Sequence, residues 1–107
     1  RHQSVLLMLE RPDAFQHFPP SARFYLGEAY RLRNQPGDIG RALAEYHTVL
    51  QQAPEFAPTY RALGLYYMKH DQPDKAQTYF SRYLELQPEA QDRGYIEYYR
   101  SRLRDRR

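Results

Sequence analysis

Two stretches of this chain repeat one another, and that repetition constrains the fold more than any other feature. With Gly27 set over Gly64, Leu26-Gly27-Glu28-Ala29-Tyr30 aligns with Leu63-Gly64-Leu65-Tyr66-Tyr67. Further on, Ala42, Tyr46 and Pro54 align with Ala76, Phe80 and Pro88. Ala42 to Ala76 and Pro54 to Pro88 are each 34 residues apart, whereas Gly27 to Gly64 is 37, so extra residues lie between Tyr30 and Ala42. Self-similarity at a fixed period of this length marks an array of small units, none of which buries its apolar face alone.

Within each period the spacing is helical. Tyr60, Leu63 and Tyr67, and then Ala76, Tyr79, Phe80 and Tyr83, make one apolar stripe per helix. A glycine on one helix and an alanine on the next are sizes that let two antiparallel helices approach closely. Pro20 with Ser21, Asp38, Pro58 and the pair Asp71 and Asp74 read as helix starts, because a hydroxyl or carboxylate there satisfies orphan N–H groups. Pro54 and Pro88 follow helix ends. These signals predict helices at 21–34, 39–53, 57–70, 73–86 and 90–104 and no strand. Turns are expected at Asn34 to Gly37 and at His70 to Pro73.

On these residues the chain resembles the tetratricopeptide-repeat family, whose unit is a 34-residue helix-turn-helix with the pattern W-x-x-L-G-x-x-Y, A-x-x-x-F, P. The second repeat, 57–88, matches best: Tyr60 stands in the Trp position, followed by Leu63, Gly64, Tyr67, Ala76, Phe80 and Pro88. The first, 20–54, carries Leu26, Gly27, Tyr30, Ala42, Tyr46 and Pro54 but has Arg23 in the Trp position and a longer turn. The resemblance implies an all-α fold, a right-handed α-solenoid of antiparallel helix pairs, here two repeats plus a capping helix. One helical domain is expected over 1–107, an excerpt of a longer protein since it opens on Arg1.

The ends of the array read differently. Residues 90–104 set Tyr95, Ile96, Tyr99 and Leu103 on one side of a helix and charges around the rest, as a solvating cap would. The other reading is a truncated third repeat, against which Tyr98 stands where glycine belongs. Residues 4–10 read as a short apolar helix, like the last turns of a preceding second helix. Phe18-Pro19-Pro20-Ser21 is similar to the F-P-x-S linkers of repeat proteins in the bacterial cell envelope. The excess of arginine over lysine, 14 to 2, points the same way, as a mark of a GC-rich genome.

Composition removes several classes of function. With no cysteine there is no disulfide, thiolate metal site or cysteine nucleophile. The longest aliphatic run, Val5 to Leu9, falls far short of the roughly 20 residues of a membrane span. Net charge is +3, but Arg100, Arg102, Arg104, Arg106 and Arg107 crowd the C-terminal tail against Asp105 alone, so the rest of the chain is near neutral. A solvated tail beside a helix C-terminus accounts for that cluster better than phosphate binding, and nucleic acid is not an expected partner. His2, His17, His47 and His70 are scattered without metal-ligand spacing, and Gly37-Asp38-Ile39-Gly40 lacks the Lys-Ser/Thr of a phosphate loop. No catalytic residue, metal or cofactor is expected.

What the resemblance implies instead is a protein or peptide partner, held on the surface lined by the first helix of each pair. Its second, fifth, ninth and twelfth positions carry over to Ser21, Phe24, Glu28 and Arg31, and to Pro58, Arg61, Leu65 and Met68, with Tyr95, Tyr99 and Arg102 added by the cap. The Lys and Asn clamp that some members use on a terminal carboxylate is missing, since Phe24, Glu28 and Ala62 occupy its places. An extended or helical segment held by aromatic anchors and an arginine fits better. Two further readings stand beside this scaffold: an accessory segment of a larger bacterial envelope enzyme, and self-association through the two terminal helices.

Overall fold

The computed structural model describes residues 18–105. The expected helix at 4–10 lies outside the described residues. Among the described residues the chain is all-α, with five helices and no strand: α1 (Pro20–Arg33), α2 (Asp38–Gln52), α3 (Ala57–Lys69), α4 (Pro73–Leu86) and α5 (Arg93–Asp105). They divide into two compact units, one ending at Phe56 and the other beginning at Ala57.

In the first unit α1 packs along α2. Proline at N1 starts α1, and Asn34 ends it in the left-handed conformation (φ 53°), its N–H donating to the Tyr30 carbonyl. Gly37 (φ 84°) then turns the chain into α2, where a residue with a side chain would be strained. The contacts prove the pair antiparallel: Arg33 meets Asp38 next to the turn, while Arg23 meets Glu45 far from it. Leu26, Ala29, Tyr30, Ala42, Tyr46 and Val49 form the buried seam. The Val49 carbonyl accepts from Ala53 N–H (2.7 Å), and Pro54 prevents another turn.

Asp38 does more than mark a helix start. Its side chain is fully buried, and the Arg33 guanidinium grips it by two bonds, Nε to Oδ2 at 2.7 Å and Nη2 to Oδ1 at 2.8 Å. Gln35 N–H and Arg41 Nη1 donate to the same carboxylate at 2.9 and 3.0 Å. Four donors on one anion fasten the end of α1 to the start of α2 across the longer turn that the first repeat carries.

The second unit holds three helices, with α4 in contact with both α3 and α5. Leu63, Ala76, Phe80, Ile96 and Leu103 are at most 2% exposed, and burial of each large side chain contributes about 1.5–3 kcal/mol. Tyr67 and Tyr79 stack nearly parallel at 5.7 Å, with Lys75 Nζ 5.0 Å from the Tyr67 centroid. Tyr60, in the Trp position, lies 6.3 Å from Tyr79 and beneath the Arg82 guanidinium. The helical spacing of large residues thus becomes a run of ring contacts between α3 and α4.

Three details differ from the sequence reading. Neither repeat glycine faces an alanine side chain as its nearest neighbour: Gly27 faces the ring of Tyr46 and Gly64 the ring of Phe80, because the aromatic four residues after each alanine fills the space that the missing side chain leaves. Asp71 also closes the helix before it. It takes φ 59° and lets Gln72 N–H reach back to the Tyr67 carbonyl (2.9 Å), a left-handed closure of α3. Finally, α5 begins at Arg93, not at 90, since residues 88–92 are spent in turns that bond Ala90 N–H to Gln87 and Arg93 N–H to Ala90.

Candidate functional site

The eleven residues expected to face a partner divide between the two units, and Ser21 and Arg102 among them are exposed. On α1, Phe24 is half-buried, its ring 5.7 Å from Tyr46 and 5.6 Å from Phe56. Glu28 accepts a short hydrogen bond from the Tyr46 hydroxyl and a two-pronged ion pair from Arg31, both contacts at 3.1 Å. Burial first, and the Glu28 carboxylate second, hold the Tyr46 phenol well above its ordinary range. Phe24, Glu28 and Arg31 are therefore one cluster built on Tyr46, and much of their bonding capacity is spent in joining α1 to α2.

On α3, Pro58 and Arg61 are exposed and Leu65 and Met68 half-buried. Arg61 Nε donates to Asp92 Oδ2 at 2.5 Å, and the Tyr83 hydroxyl donates to Asp92 Oδ1 at 2.7 Å. Partial burial raises the Asp92 pKa, but the bonds from Arg61 and Tyr83 outweigh it and leave the carboxyl below its ordinary value. Burial and the Asp92 carboxylate push Tyr83 up to about 12. Asp92 is thus a hub that ties the turn just before α5 to α3 and α4. Spacing did not single it out. Its one signal is the 34-residue register, which sets it on the same position as Pro58.

Beside this hub lies an open cleft of about 580 Å³ whose walls are Ala57, Pro58 and Ala90 and whose polar side is Tyr83, Gln87 and Asp92. Apolar walls with a few convergent polar groups are the composition of a binding cleft. On α5 the two predicted tyrosines part company. Tyr99 is half-buried and stacks on Phe80 at 6.1 Å, so it belongs to the packing of α5 on α4. Tyr95 is 71% exposed and, with Gln91, Gly94, Tyr98 and Tyr99, lines a second recess of about 550 Å³. Tyr98, 58% exposed, was not a predicted site residue, although its presence where the other repeats have glycine was the signal for it.

Among the described residues no group of His, Asp and Glu is arranged to hold a metal ion, and no helix is long and apolar enough to cross a membrane. His70 stacks on Tyr66 at 4.1 Å, with Nδ1 2.9 Å from the Tyr66 carbonyl oxygen.

Residues 57–90, which comprise α3, α4 and the turn that follows, match the family model of the tetratricopeptide repeat. A comparison with curated proteins gives no match.

Proposed function

From the premise that this chain carries a tetratricopeptide repeat at residues 57–90, a motif that generally mediates protein-protein interaction, we propose that it holds a protein or peptide segment against α3 and the start of α5. The observation that carries this reading is the cleft walled by Ala57, Pro58 and Ala90 beside the Arg61, Asp92 and Tyr83 cluster. Leu65 and Met68 continue its apolar side along α3, one and two turns beyond Arg61. An occupying backbone would find donors and acceptors at one end and aliphatic surface at the other, the combination that a short extended or helical segment needs.

The arginine acts here as a held charge. Arg61 is fixed by Asp92 with nearly half of its side chain still accessible, so its remaining N–H donors are oriented before a partner arrives. Tyr99 supports the patch through Phe80 and Tyr95 lies outside it. On α1, Phe24, Glu28 and Arg31 are read as packing first, with Arg31 more accessible than Glu28.

The test is capture from the source cell by the wild-type chain and by Leu65→Glu with Met68→Glu, using Arg82→Glu on α4 as the control. The double variant is expected to lose the partner while keeping its helical circular dichroism, and the control to retain it. Equal recovery by all three defeats the assignment of the patch.

A further inference from the structure

The outer side of α5 has no counterpart in the packing of α3. In the 34-residue register Gly94 stands where α3 has Tyr60, and Tyr98 where it has Gly64. On α3 those positions are covered by Tyr79 and Phe80 of α4. On α5 they are open: Tyr98 is 58% exposed and a β-carbon on Gly94 would meet nothing within 4 Å, while Tyr95 beside them is 71% exposed. Tyr95, Tyr98, Arg102 and Asp105 follow one another at alternating steps of three and four along α5, the spacing of a helix-pairing seam. Gly94 and Ser101 flank it on one side, seven residues apart.

We infer that this seam pairs with the same seam of a second copy of the chain, antiparallel, about a two-fold axis that passes beside Tyr98. The stripe is its own complement in that orientation alone. With Tyr98 against Tyr98 at the axis, Arg102 of each copy comes level with the Tyr95 ring of the other, a cation against an aromatic face, and this happens twice. On the opposite side of the seam Gly94 of one copy meets Ser101 of the other, two small residues that let the helices close. The parallel arrangement instead sets Arg102 against Arg102 and is opposed by like charge. The recess beside Tyr95 and Tyr98 is where the second helix seats.

This contact uses none of Pro58, Arg61, Leu65 or Met68, so it stands or falls apart from the function proposed above. Sedimentation of the 107-residue chain from micromolar to millimolar concentration should show a monomer-dimer equilibrium. Tyr98→Glu, which puts two carboxylates on the axis, should weaken it by at least about tenfold with helicity unchanged, while Leu65→Glu with Met68→Glu leaves it as it was. Because the chain has no cysteine, orientation is open to disulfide trapping. A mixture of Gly94→Cys and Ser101→Cys chains should cross-link to the heterodimer. Neither should cross-link to itself, since its own two copies lie about 12 and 9 Å apart along an antiparallel pair, too far for a disulfide. A monomer at all concentrations, a dimer indifferent to Tyr98→Glu, or self-cross-linking of Gly94→Cys as efficient as the mixture would each overturn the proposal.

Discussion

The ring of Phe80 sits so close to Gly64 that a β-carbon built on that glycine would stand 2.5 Å from both Cδ1 and Cε1. Tyr46 approaches Gly27 less tightly, with Cε1 at 2.9 Å. Helix α3 is therefore held at a distance from α4 that only hydrogen permits. The same device in the first unit is less tight, though still closer than a β-carbon allows without a shift of the Tyr46 ring.

Gly64→Ala should thus destabilise the chain even though alanine favours the helix by about 0.5–1 kcal/mol. Overpacking at this contact costs about 1–3 kcal/mol, because Phe80 is fully buried and has no free direction in which to move. Gly27→Ala should cost less, because the Tyr46 ring has a shorter distance to give. Thermal unfolding of both variants decides it: Tm should fall for Gly64→Ala more than for Gly27→Ala, and Phe80→Leu in the Gly64→Ala background should recover part of the loss. Equal midpoints for the two single variants would mean that the ring contact does not set the helix spacing.

Asp38 should make the first unit acid-sensitive. The bonds from Arg33, against the opposing effect of burial, hold its carboxyl well below the ordinary value of 3.8. A group held low in the folded state binds its proton more weakly there than in the unfolded chain. It therefore adds stability above the unfolded value, and that stability is lost as pH falls below about 3.8 toward the folded value. Denaturant unfolding at neutral pH and near pH 3 should show a drop for the wild type and a smaller drop for Asp38→Asn, which begins from a lower stability. The same pH dependence in both would remove Asp38 from the account.

Tyr46 and Tyr83 should titrate late. Tyr83 is pushed up to about 12 and Tyr46 further, each by burial first and then by the carboxylate that its hydroxyl faces, Asp92 or Glu28. Both favour the neutral phenol when folded, so each contributes stability that is intact below the ordinary value of 10.0 and fades as pH rises through the folded value. Ultraviolet titration of the phenolates should leave a fraction unionised past pH 11 until the chain unfolds. Tyr83→Phe and Tyr46→Phe should each shrink that late fraction. Tyr46→Phe should also cost about 1.5–3 kcal/mol, the range for a hydrogen bond to a charged group.

Much of this architecture was legible in the chain because it rests on local, periodic features. Leu63, Tyr67, Ala76 and Phe80 declare two helices and their apolar faces by spacing alone, and Pro54 and Pro88 declare where helices stop. Helix ends could be read to within a few residues for the same reason: proline, glycine and asparagine act on the backbone where they stand. What bonds a charged side chain makes is a different kind of fact. Nothing within reach of Arg61 along α3 predicts Asp92, thirty-one residues on, and nothing near Glu28 predicts the hydroxyl of Tyr46.

The sequence by itself determined that helices form in pairs, since period and helix-breaking residues depend only on neighbours in the chain. Tertiary structure alone decided which of the predicted groove residues are occupied with their own fold, that Tyr98 is left open, and that aromatic rings rather than alanines fill the gaps beside Gly27 and Gly64. The physical reason is that such contacts depend on which residues three-dimensional packing brings within a few ångströms, and distance along the chain carries no record of that.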